Sequence, residues 1–447
     1  MLSSPRLLMS RRVVITGLGL ISPLGNSAEK LWDGLSRGQS AVHELKNDPA
    51  TALQTRFAAE ARDFTGAIED FGPLEKLLAR NIKKNLKVMC REIQMGVAVA
   101  QLAVTDAGLR LDELDRDRIG VLYGSDYMLS QPTEFTAAVR QCLDEEGRFD
   151  FSRWAEKGLA EVEPLWLLKY LPNLPACHVT IFNDLRGPNN SITMRESASN
   201  IAVAEAYCTI ERGHADRMIA GATGTRVHPA RTLNVCLQEQ IAGSDGEAVA
   251  DPATLSRPFD KHRTGQVLGE GAGAVVLEEL SVAQARGAKI VGEVIGYGSS
   301  QVVSRQGVGQ LRVALRNVMT QALRSAKLAP ERVGHIHAHG LGTLKSDAEE
   351  AAAIRDIFGE TPVPVTAAKS YFGNLGAGGG IVEAIASLLA LEKQSLFPIL
   401  NYDTPDPECP IQAVKPGKSV SAGDNFINLS VTPLGQASAI VVRRFED

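Results

Sequence analysis

Short apolar runs alternate with longer amphipathic stretches along most of the chain. Arg12–Ser22, Arg118–Gly124 and Met218–Ala222 are rich in β-branched or small apolar residues, so each predicts a buried strand. Ser27–Gly38 predicts a short helix, and Ala79–Gly108 predicts one long helix that is basic in its first part and alanine-rich in its second. This alternation of strands and helices predicts an α/β protein.

The order of these elements is repeated within the chain. The helix QLAVTDAGL leads through a polar linker to the strand RIGVLYGS, and the helix QALRSAKL leads through a shorter linker to VGHIHAHGLG. Asn200–Gly213 parallels Ile381–Gln394, and each follows a polar, glycine-rich turn. The repetition predicts two similar α/β halves, residues 11–255 and 256–445, with mixed sheets layered between helices. The more polar stretch at about 131–174 predicts an insertion in the first half.

The composition narrows the functional classes. Of 447 residues, 44% are hydrophobic and 22% are charged, and the net charge of −5 argues against a nucleic-acid-binding protein. No apolar run is long enough to span a bilayer, and the first ten residues lack a signal-peptide pattern. The six cysteines show neither CxxC pairs nor metal-ligand spacing. We therefore expect a cytoplasmic protein without a metal site.

The stretch Gly187–Asp216 has the pattern of a reactive turn. It begins as a polar loop, becomes helical from about Ser197, and leads into the buried strand at Met218–Ala222. An α/β enzyme presents a reactive side chain at the N-terminus of a helix in this way. The residue at the turn is Glu196.

Three blocks of sequence resemble the β-ketoacyl-acyl-carrier-protein synthases of the KAS I/II type. The first block is VVITGLG-x-ISPLGN, near the start of the chain. The second spans Gly187–Ala222 and contains GPN, Glu196, AD and AGA in that order. The third follows residue 256 and consists of RPFD and then GEGAG. The resemblance implies the thiolase-like fold, a dimer, and substrates held on the phosphopantetheine of an acyl carrier protein, with no other cofactor. The aromatic residue that usually follows Gly265 in the third block is Gln266 here.

The resemblance assigns roles to residues of two motifs. Glu196 stands at the position of the cysteine that accepts the acyl chain in this family, and a carboxylate is a poor acyl acceptor. His339 in HAHGLGT matches the first histidine of the family's HGTxT motif. Thr343 matches its second threonine, which binds the pantetheine arm, whereas the first threonine is Leu341.

A second group of matches lies further along the chain. Lys369 in TAAKSYFGN matches the family lysine, and Glu383 in GGGIVEAI matches its acidic helix residue. The family's second histidine is replaced by Asn374. Asparagine can donate an N–H to a thioester oxygen, but it cannot become cationic, so it stabilises a developing enolate less than a protonated histidine does.

The C-terminal turn adds a further departure. The family's GFGG-type turn supplies a backbone N–H to the oxyanion hole, and counting back from Ile440 places this turn at Val431–Gly435. Pro433 then occupies the donor position, and proline has no N–H. Loss of one such donor typically lowers the rate by about 10²–10³-fold.

Three functions remain open after these substitutions. The first is a non-condensing partner subunit of the chain-length-factor type, paired in a dimer with a cysteine-containing ketosynthase. The second is a catalyst that uses Glu196, His339 and Asn374, for example as a malonyl-carrier decarboxylase or an atypical acyltransferase. The third is an acyl-carrier-binding protein without catalysis. Glu196 itself has two interpretations, a functional group or an ordinary acidic residue at a helix N-terminus.

A run of basic residues opens the long predicted helix. It includes Arg80, Lys83, Lys84 and Lys87, and extends to Lys76 and Arg91. A charge run of this kind usually forms a solvated face, but the same stretch in the resembled synthases helps to receive the acidic acyl carrier protein. We therefore expect this helix to dock the carrier.

Overall fold

The structure is a computed structural model that describes residues 11–45, 55–243 and 249–446. The expectation about a signal peptide concerns residues 1–10, which lie outside the described residues. The strands are β1 (Val13–Ile21), β2 (His43–Glu44), β3 (Phe57–Ala59), β4 (Ile119–Ser125), β5 (Asn189–Thr193), β6 (Arg217–Thr225), β7 (Leu268–Glu279), β8 (Gly292–Gln301), β9 (His335–His337), β10 (Pro364–Thr366), β11 (Gln412–Ala413), β12 (Asn425–Val431) and β13 (Gln436–Arg443).

The α-helices lie between these strands and pack on their faces. They are α1 (Ala28–Ser36), α2 (Lys76–Asn85), α3 (Arg91–Asp106), α4 (Thr136–Gln141), α5 (Leu174–Asn183), α6 (Ala198–Glu211), α7 (Pro229–Gln238), α8 (Leu280–Ala285), α9 (Leu311–Ala326), α10 (Leu344–Phe358), α11 (Lys369–Phe372) and α12 (Gly379–Lys393). The strands predicted at Arg12–Ser22, Arg118–Gly124 and Met218–Ala222 are therefore confirmed as β1, β4 and β6.

The strand order shows the internal duplication. One sheet has the order β11-β10-β9-β12-β13-β8-β1-β7-β6-β4-β5. From its centre, β1-β7-β6-β4-β5 on one side is mirrored by β8-β13-β12-β9-β10 on the other, and β1 pairs with β8 where the two runs meet. Both runs mix parallel and antiparallel pairs. The predicted mixed α/β architecture with two similar halves is thus present.

The predicted boundary between the halves falls close to a strand that belongs to the first run. β7 lies after residue 255, and yet it pairs with β1 and β6. The boundary at residue 255 stays a prediction. Residues 131–174, which we predicted to be an insertion, form α4 and several short helical turns.

Two helices occupy the interior between the halves. α6 packs against β4, β6 and β13, and α12 packs against β7, β12 and α6. Every residue of α12 from Gly379 to Leu391 is buried. The first residues of α6, Ala198–Asn200, are buried as well, so the turns that open both helices lie deep in the molecule.

The prediction of one long helix over Ala79–Gly108 is wrong, because the structure has two helices there, α2 and α3. The chain breaks between α2 and α3, where Met89 has an extended backbone with φ −125° and ψ 123°. Met89 is buried, and the backbone N–H of Cys90 donates to the carbonyl of Lys169 at 3.2 Å. These tertiary contacts outweigh the helical pattern of the local sequence.

No helix in the described ranges is both long enough and apolar enough to cross a membrane.

Candidate active site

A sharp turn places Glu196 in front of α6. A single turn of 3₁₀ helix, Arg195–Ser197, joins the end of β5 to α6. Arg195 has φ +52°, in the left-handed region that a non-glycine residue seldom adopts. Glu196 is 3% exposed. The turn and the helix predicted around this residue are confirmed, but the polar loop predicted in front of them is wrong, because Asn189–Thr193 pair with β4 and form the strand β5. Backbone strain of this kind clusters at functional sites.

Two arginines hold the Glu196 carboxylate. The guanidinium of Arg226 donates to Oε1, and Nε of Arg195 lies 3.3 Å from Oε2. Burial alone would raise the pKa of Glu196, but the charges of Arg195 and Arg226 outweigh it and hold that pKa well below its usual value. The charge of Glu196 in turn raises the pKa of Arg195. Glu196 is therefore a carboxylate that stays ionised and paired.

Asn374 joins Glu196 to a closed ring of polar contacts. Its side-chain N–H₂ donates to Glu196 at 3.1 Å and to Oε1 of Gln266 at 2.8 Å. Gln266 donates to Glu239 at 2.7 Å, and Glu239 accepts from Arg195, which returns to Glu196. Both amide hydrogens of Asn374 are thus already used.

A second set of charges extends from Arg226 on the other side. Arg226 lies 3.5 Å from the carboxylate of Asp126, which also pairs with Arg231 at 2.8 Å. The guanidinium of Arg231 lies over the ring of Tyr127, 3.6 Å from its centroid. Arg226 and Arg231 are each 1% exposed. The surroundings of Glu196 are therefore ionic, and an alkyl chain placed beside it would have to displace paired charges.

His339, Lys369 and Glu383 form a second buried group, which is linked to Glu196 by the effect of the Glu196 charge on His339. Nζ of Lys369 pairs with the carboxylate of Glu383 and donates to Nδ1 of His339 at 3.2 Å. Burial and then the Lys369 charge lower the pKa of His339 well below its usual value, so its imidazole is neutral. With Nδ1 accepting, the ring hydrogen is on Nε2, which has no hydrogen-bond partner in the described part of the chain.

Two buried carboxylates of α10 fix the loop that bears His339. Glu350 accepts from the backbone N–H groups of His339 and Gly340, at 2.6 and 2.9 Å. Asp347 accepts from Leu341 and Gly342, each at 3.0 Å. Burial raises the pKa of Glu350 to about 7 and that of Asp347 to about 6. The position of His339 thus depends on groups that titrate near neutrality.

Thr343 and Pro433 form no hydrogen bond or ion pair with the members of the Glu196 cluster in the described part of the chain. Thr343 is the N-cap of α10, where its hydroxyl accepts from the N–H of Ser346 at 3.3 Å. Pro433 is half-buried in the turn between β12 and β13, which confirms the predicted turn. The Gln436 carbonyl at the start of β13 accepts from the hydroxyl of Ser197 at 2.9 Å. This bond anchors the turn next to Glu196, and the oxyanion role of the turn stays a prediction.

The basic run lies on α2 and the short helical turn that follows it. Arg80, Lys83, Lys84 and Lys87 are exposed, and none forms an ion pair with another described residue. Arg91 behaves differently, because it begins α3 and binds Glu270 with two hydrogen bonds, at 2.9 and 2.7 Å. Arg91 therefore does not belong to the exposed basic surface, whereas the other four residues do.

The structure thus brings together Glu196, Asn374, His339, Lys369 and Glu383. The turn that bears Pro433 is anchored beside this cluster, whereas Thr343 caps α10 and the basic residues lie on α2 and the turn after it. Sequence reasoning missed the residues that enclose Glu196, namely Arg195, Arg226, Asp126, Arg231 and Glu239. Two features of the sequence indicate polar partners near Glu196. Gln266 replaces the family's usual aromatic residue, and Arg226 directly follows an apolar strand.

No group of three or more His, Cys, Asp or Glu side chains in residues 11–45, 55–243 and 249–446 is arranged to hold a metal ion.

Comparisons with known proteins agree over most of the chain. Two family models match, "Beta-ketoacyl synthase, N-terminal domain" over residues 10–283 and "Beta-ketoacyl synthase, C-terminal domain" over residues 291–403. The 3-oxoacyl-[acyl-carrier-protein] synthase 2 of Synechocystis sp. is 32% identical over 416 residues, which cover 92% of each chain.

Solved structures show the same likeness. A β-ketoacyl synthase from Burkholderia phymatum is 26% identical with a TM-score of 0.83, and the match covers 98% of this chain and 100% of that one. The ishigamide ketosynthase/chain length factor is 27% identical with a TM-score of 0.81 and the same coverage.

Proposed function

The chain belongs to the β-ketoacyl synthase family and has its thiolase-like fold, and from that premise we propose that it is a non-condensing member of acyl-chain biosynthesis. In this proposal it is a partner subunit that pairs with a cysteine-containing ketosynthase, as a chain length factor does. The observation that carries the proposal is the pairing of Glu196 with Arg195 and Arg226.

A paired carboxylate cannot replace the cysteine of a condensing enzyme. An acyl group on Glu196 would be a mixed anhydride, which is uphill from a thioester. Acylation would also remove the negative charge from Glu196 and leave Arg195 and Arg226 buried without their counter-ion, which costs several kcal/mol. The relatives are named as synthases, so in this proposal the lack of condensing activity in this chain is due to these side chains rather than to the fold.

The same contacts weigh against the decarboxylase alternative. Stabilising an enolate requires donors that are free to turn toward a thioester oxygen. Both N–H bonds of Asn374 are directed at Glu196 and Gln266. His339 keeps one N–H that has no partner among the described residues, but its ring is neutral, so the cluster offers an uncharged donor where cationic stabilisation is needed.

The edge of the sheet supports a role as one subunit of a dimer. β5 ends the strand order and, among the described strands, pairs only with β4. An unpaired edge is a template for pairing with another chain. Large exposed hydrophobic side chains occur in the chain between β4 and β5, at Phe149, Phe151, Leu165, Leu167 and Ile181. A homodimer and a heterodimer both fit this surface, and the proposed function requires the heterodimer.

The proposed partner beyond the dimer is an acyl carrier protein. The name of the Synechocystis relative includes the acyl carrier protein, and the exposed basic residues of α2 suit an acidic surface. The substrate arm would be the phosphopantetheine of that carrier.

An intact-mass assay tests the proposal. The protein is incubated with acyl and malonyl carrier proteins, alone and together with a cysteine-containing family member. We expect no acyl adduct and no CO₂ release from the protein alone, and a stable complex with the ketosynthase. A stoichiometric acyl adduct on this chain contradicts the proposal. Release of CO₂ by the protein alone favours the decarboxylase. Binding of the carrier protein without a ketosynthase complex, an acyl adduct or CO₂ release favours the acyl-carrier-binding protein.

A further inference from the structure

A cavity separate from the Glu196 cluster opens where α3 begins. Its volume is about 240 Å³, and its lining includes Lys87, Cys90, Lys169, Tyr170 and His228. None of Glu196, His339, Lys369 or Asn374 lines it. Pockets for drug-sized ligands span about 300–1,000 Å³, so a ligand of this cavity would be small.

His228 is an unpaired polar group in the wall of this cavity. It is 5% exposed, and neither Nδ1 nor Nε2 has a hydrogen-bond partner in the described part of the chain. It is the N-cap residue of α7, a ten-residue helix, but its side chain does not cap the helix. Buried polar groups in native proteins are nearly always hydrogen-bonded, so a partner for this imidazole is expected in the cavity.

Most other charges around the cavity are already compensated. Arg91 is bound by Glu270 through two hydrogen bonds, and Nζ of Lys169 lies 3.0 Å from the carboxylate of Glu134. Lys87 is exposed and forms no ion pair with another described residue. Lys87 is therefore the uncompensated cation of this wall.

Two further groups favour a negative ligand over a positive one. Burial raises the pKa of Glu92, which also lines the cavity, and thus favours its neutral form. Burial and then the charge of Arg231 lower the pKa of His228, so its neutral ring offers one N–H donor and one acceptor. The hydroxyl of Tyr170 is already used, because it donates to Glu134 at 2.7 Å.

We propose that this cavity binds a small organic anion, a carboxylate or a phosphate, between the ammonium of Lys87 and the imidazole N–H of His228. The volume suits a ligand no larger than a small dicarboxylate or phosphate ester. His228 follows Arg226 by two residues, so this site adjoins the segment that holds Glu196. The proposal does not depend on the non-condensing role.

Binding of inorganic phosphate and of succinate to the whole protein tests the site, by calorimetry at constant ionic strength. We expect saturable binding of at least one probe. Phosphate binding alone identifies a phosphate site, and succinate binding alone identifies a carboxylate site. In His228→Gln or Lys87→Ala, the affinity should fall roughly tenfold or more, because a hydrogen bond or ion pair to the anion is lost.

Lys157→Ala is the matched control, since Lys157 is an exposed lysine away from the cavity lining and should leave binding unchanged. The side-chain ¹⁵N resonances of His228 in the wild-type protein give a second readout that needs no variant, and they should shift with the bound fraction. Absence of saturable binding by either probe, or equal affinity in His228→Gln, overturns the proposal.

Discussion

The carboxylate of Glu196 and the guanidinium of Arg226 form an ion pair in which the two side chains are 3% and 1% exposed. Nε of Arg195 lies 3.3 Å from the other oxygen of the same carboxylate. Such a buried pair is costly to break, because removing one partner leaves an uncompensated charge in the interior. Glu196 therefore contributes to the stability of the molecule.

Glu196→Gln tests this consequence. The glutamine has nearly the same shape but no charge, so Arg195 and Arg226 lose their counter-ion. We expect the free energy of unfolding at pH 7 to fall by about 3–5 kcal/mol, measured by urea denaturation.

The pH dependence and a control variant sharpen this test. The pKa of Glu196 is lowered by folding, so its contribution is fully present above its unfolded pKa and is lost as the pH falls. The loss caused by Glu196→Gln should therefore shrink below about pH 4. Asp356→Asn, which breaks an exposed pair with Arg312, should cost less than about 1 kcal/mol. Equal costs for the two variants would contradict the structural role of Glu196.

The sequence allowed the fold and part of the site to be predicted. Apolar runs located β1, β4 and β6, and motif matches brought Glu196, Asn374, His339, Lys369 and Glu383 into one cluster. The partners of Glu196 could not be predicted, because Arg226 reaches it from the end of a strand 30 residues away. The break at Met89 was missed for the same reason, since tertiary contacts of Met89 and Cys90 decide it.

In the proposed non-condensing role, Glu196→Cys should create a reactive thiol but allow little condensation. Arg195 and Arg226 would then face a sulfur atom, and neighbouring cations lower a cysteine pKa below its free value of about 8.5. We expect alkylation of the thiol at residue 196, with an apparent thiol pKa below that value. Peptide mass spectrometry over a pH series measures the extent of alkylation. Little ketoacyl product should form, because Asn374 cannot become cationic and Pro433 supplies no N–H.

Arg226→Ala in the Glu196→Cys protein provides the comparison for the labelling. Removing that guanidinium should raise the apparent pKa of the thiol, while labelling of the native Cys177 serves as an internal reference. An unchanged pKa would show that Arg226 does not act on this position. Substantial ketoacyl product from Glu196→Cys alone would show that Asn374 and Pro433 do not prevent condensation.

Glu350→Gln should destabilise the protein more at pH 5 than at pH 7.5. Folding raises the pKa of Glu350 from 4.5 to about 7, so its contribution to stability is fully present below the unfolded pKa and is lost as the pH rises through the folded one. The variant lacks this titration and leaves one of two backbone N–H groups without an acceptor. We expect the difference in unfolding free energy between the two pH values to be roughly 1–3 kcal/mol.

Glu360→Gln is the control for this pH dependence. The Glu360 side chain is 93% exposed, so its replacement should change stability little at either pH. A cost of Glu350→Gln that is independent of pH would mean that Glu350 does not titrate between pH 5 and pH 7.5.

The exposed basic face of α2 gives the last prediction, which concerns carrier docking. Lys83→Glu with Lys84→Glu reverses two charges that no other described residue compensates. We expect binding of an acidic acyl carrier protein to weaken at low salt and its salt dependence to flatten, because opposite charges at a rim mainly speed encounter. Thermal stability should stay near that of the wild type, since both side chains are exposed. Surface plasmon resonance over a salt series measures the effect. Arg305→Glu with Lys418→Glu makes the same change of net charge at exposed residues away from α2 and should leave binding near that of the wild type. Equal weakening in both double variants would attribute the effect to net charge alone, and unchanged binding in the α2 variant would leave this helix as a solvated face.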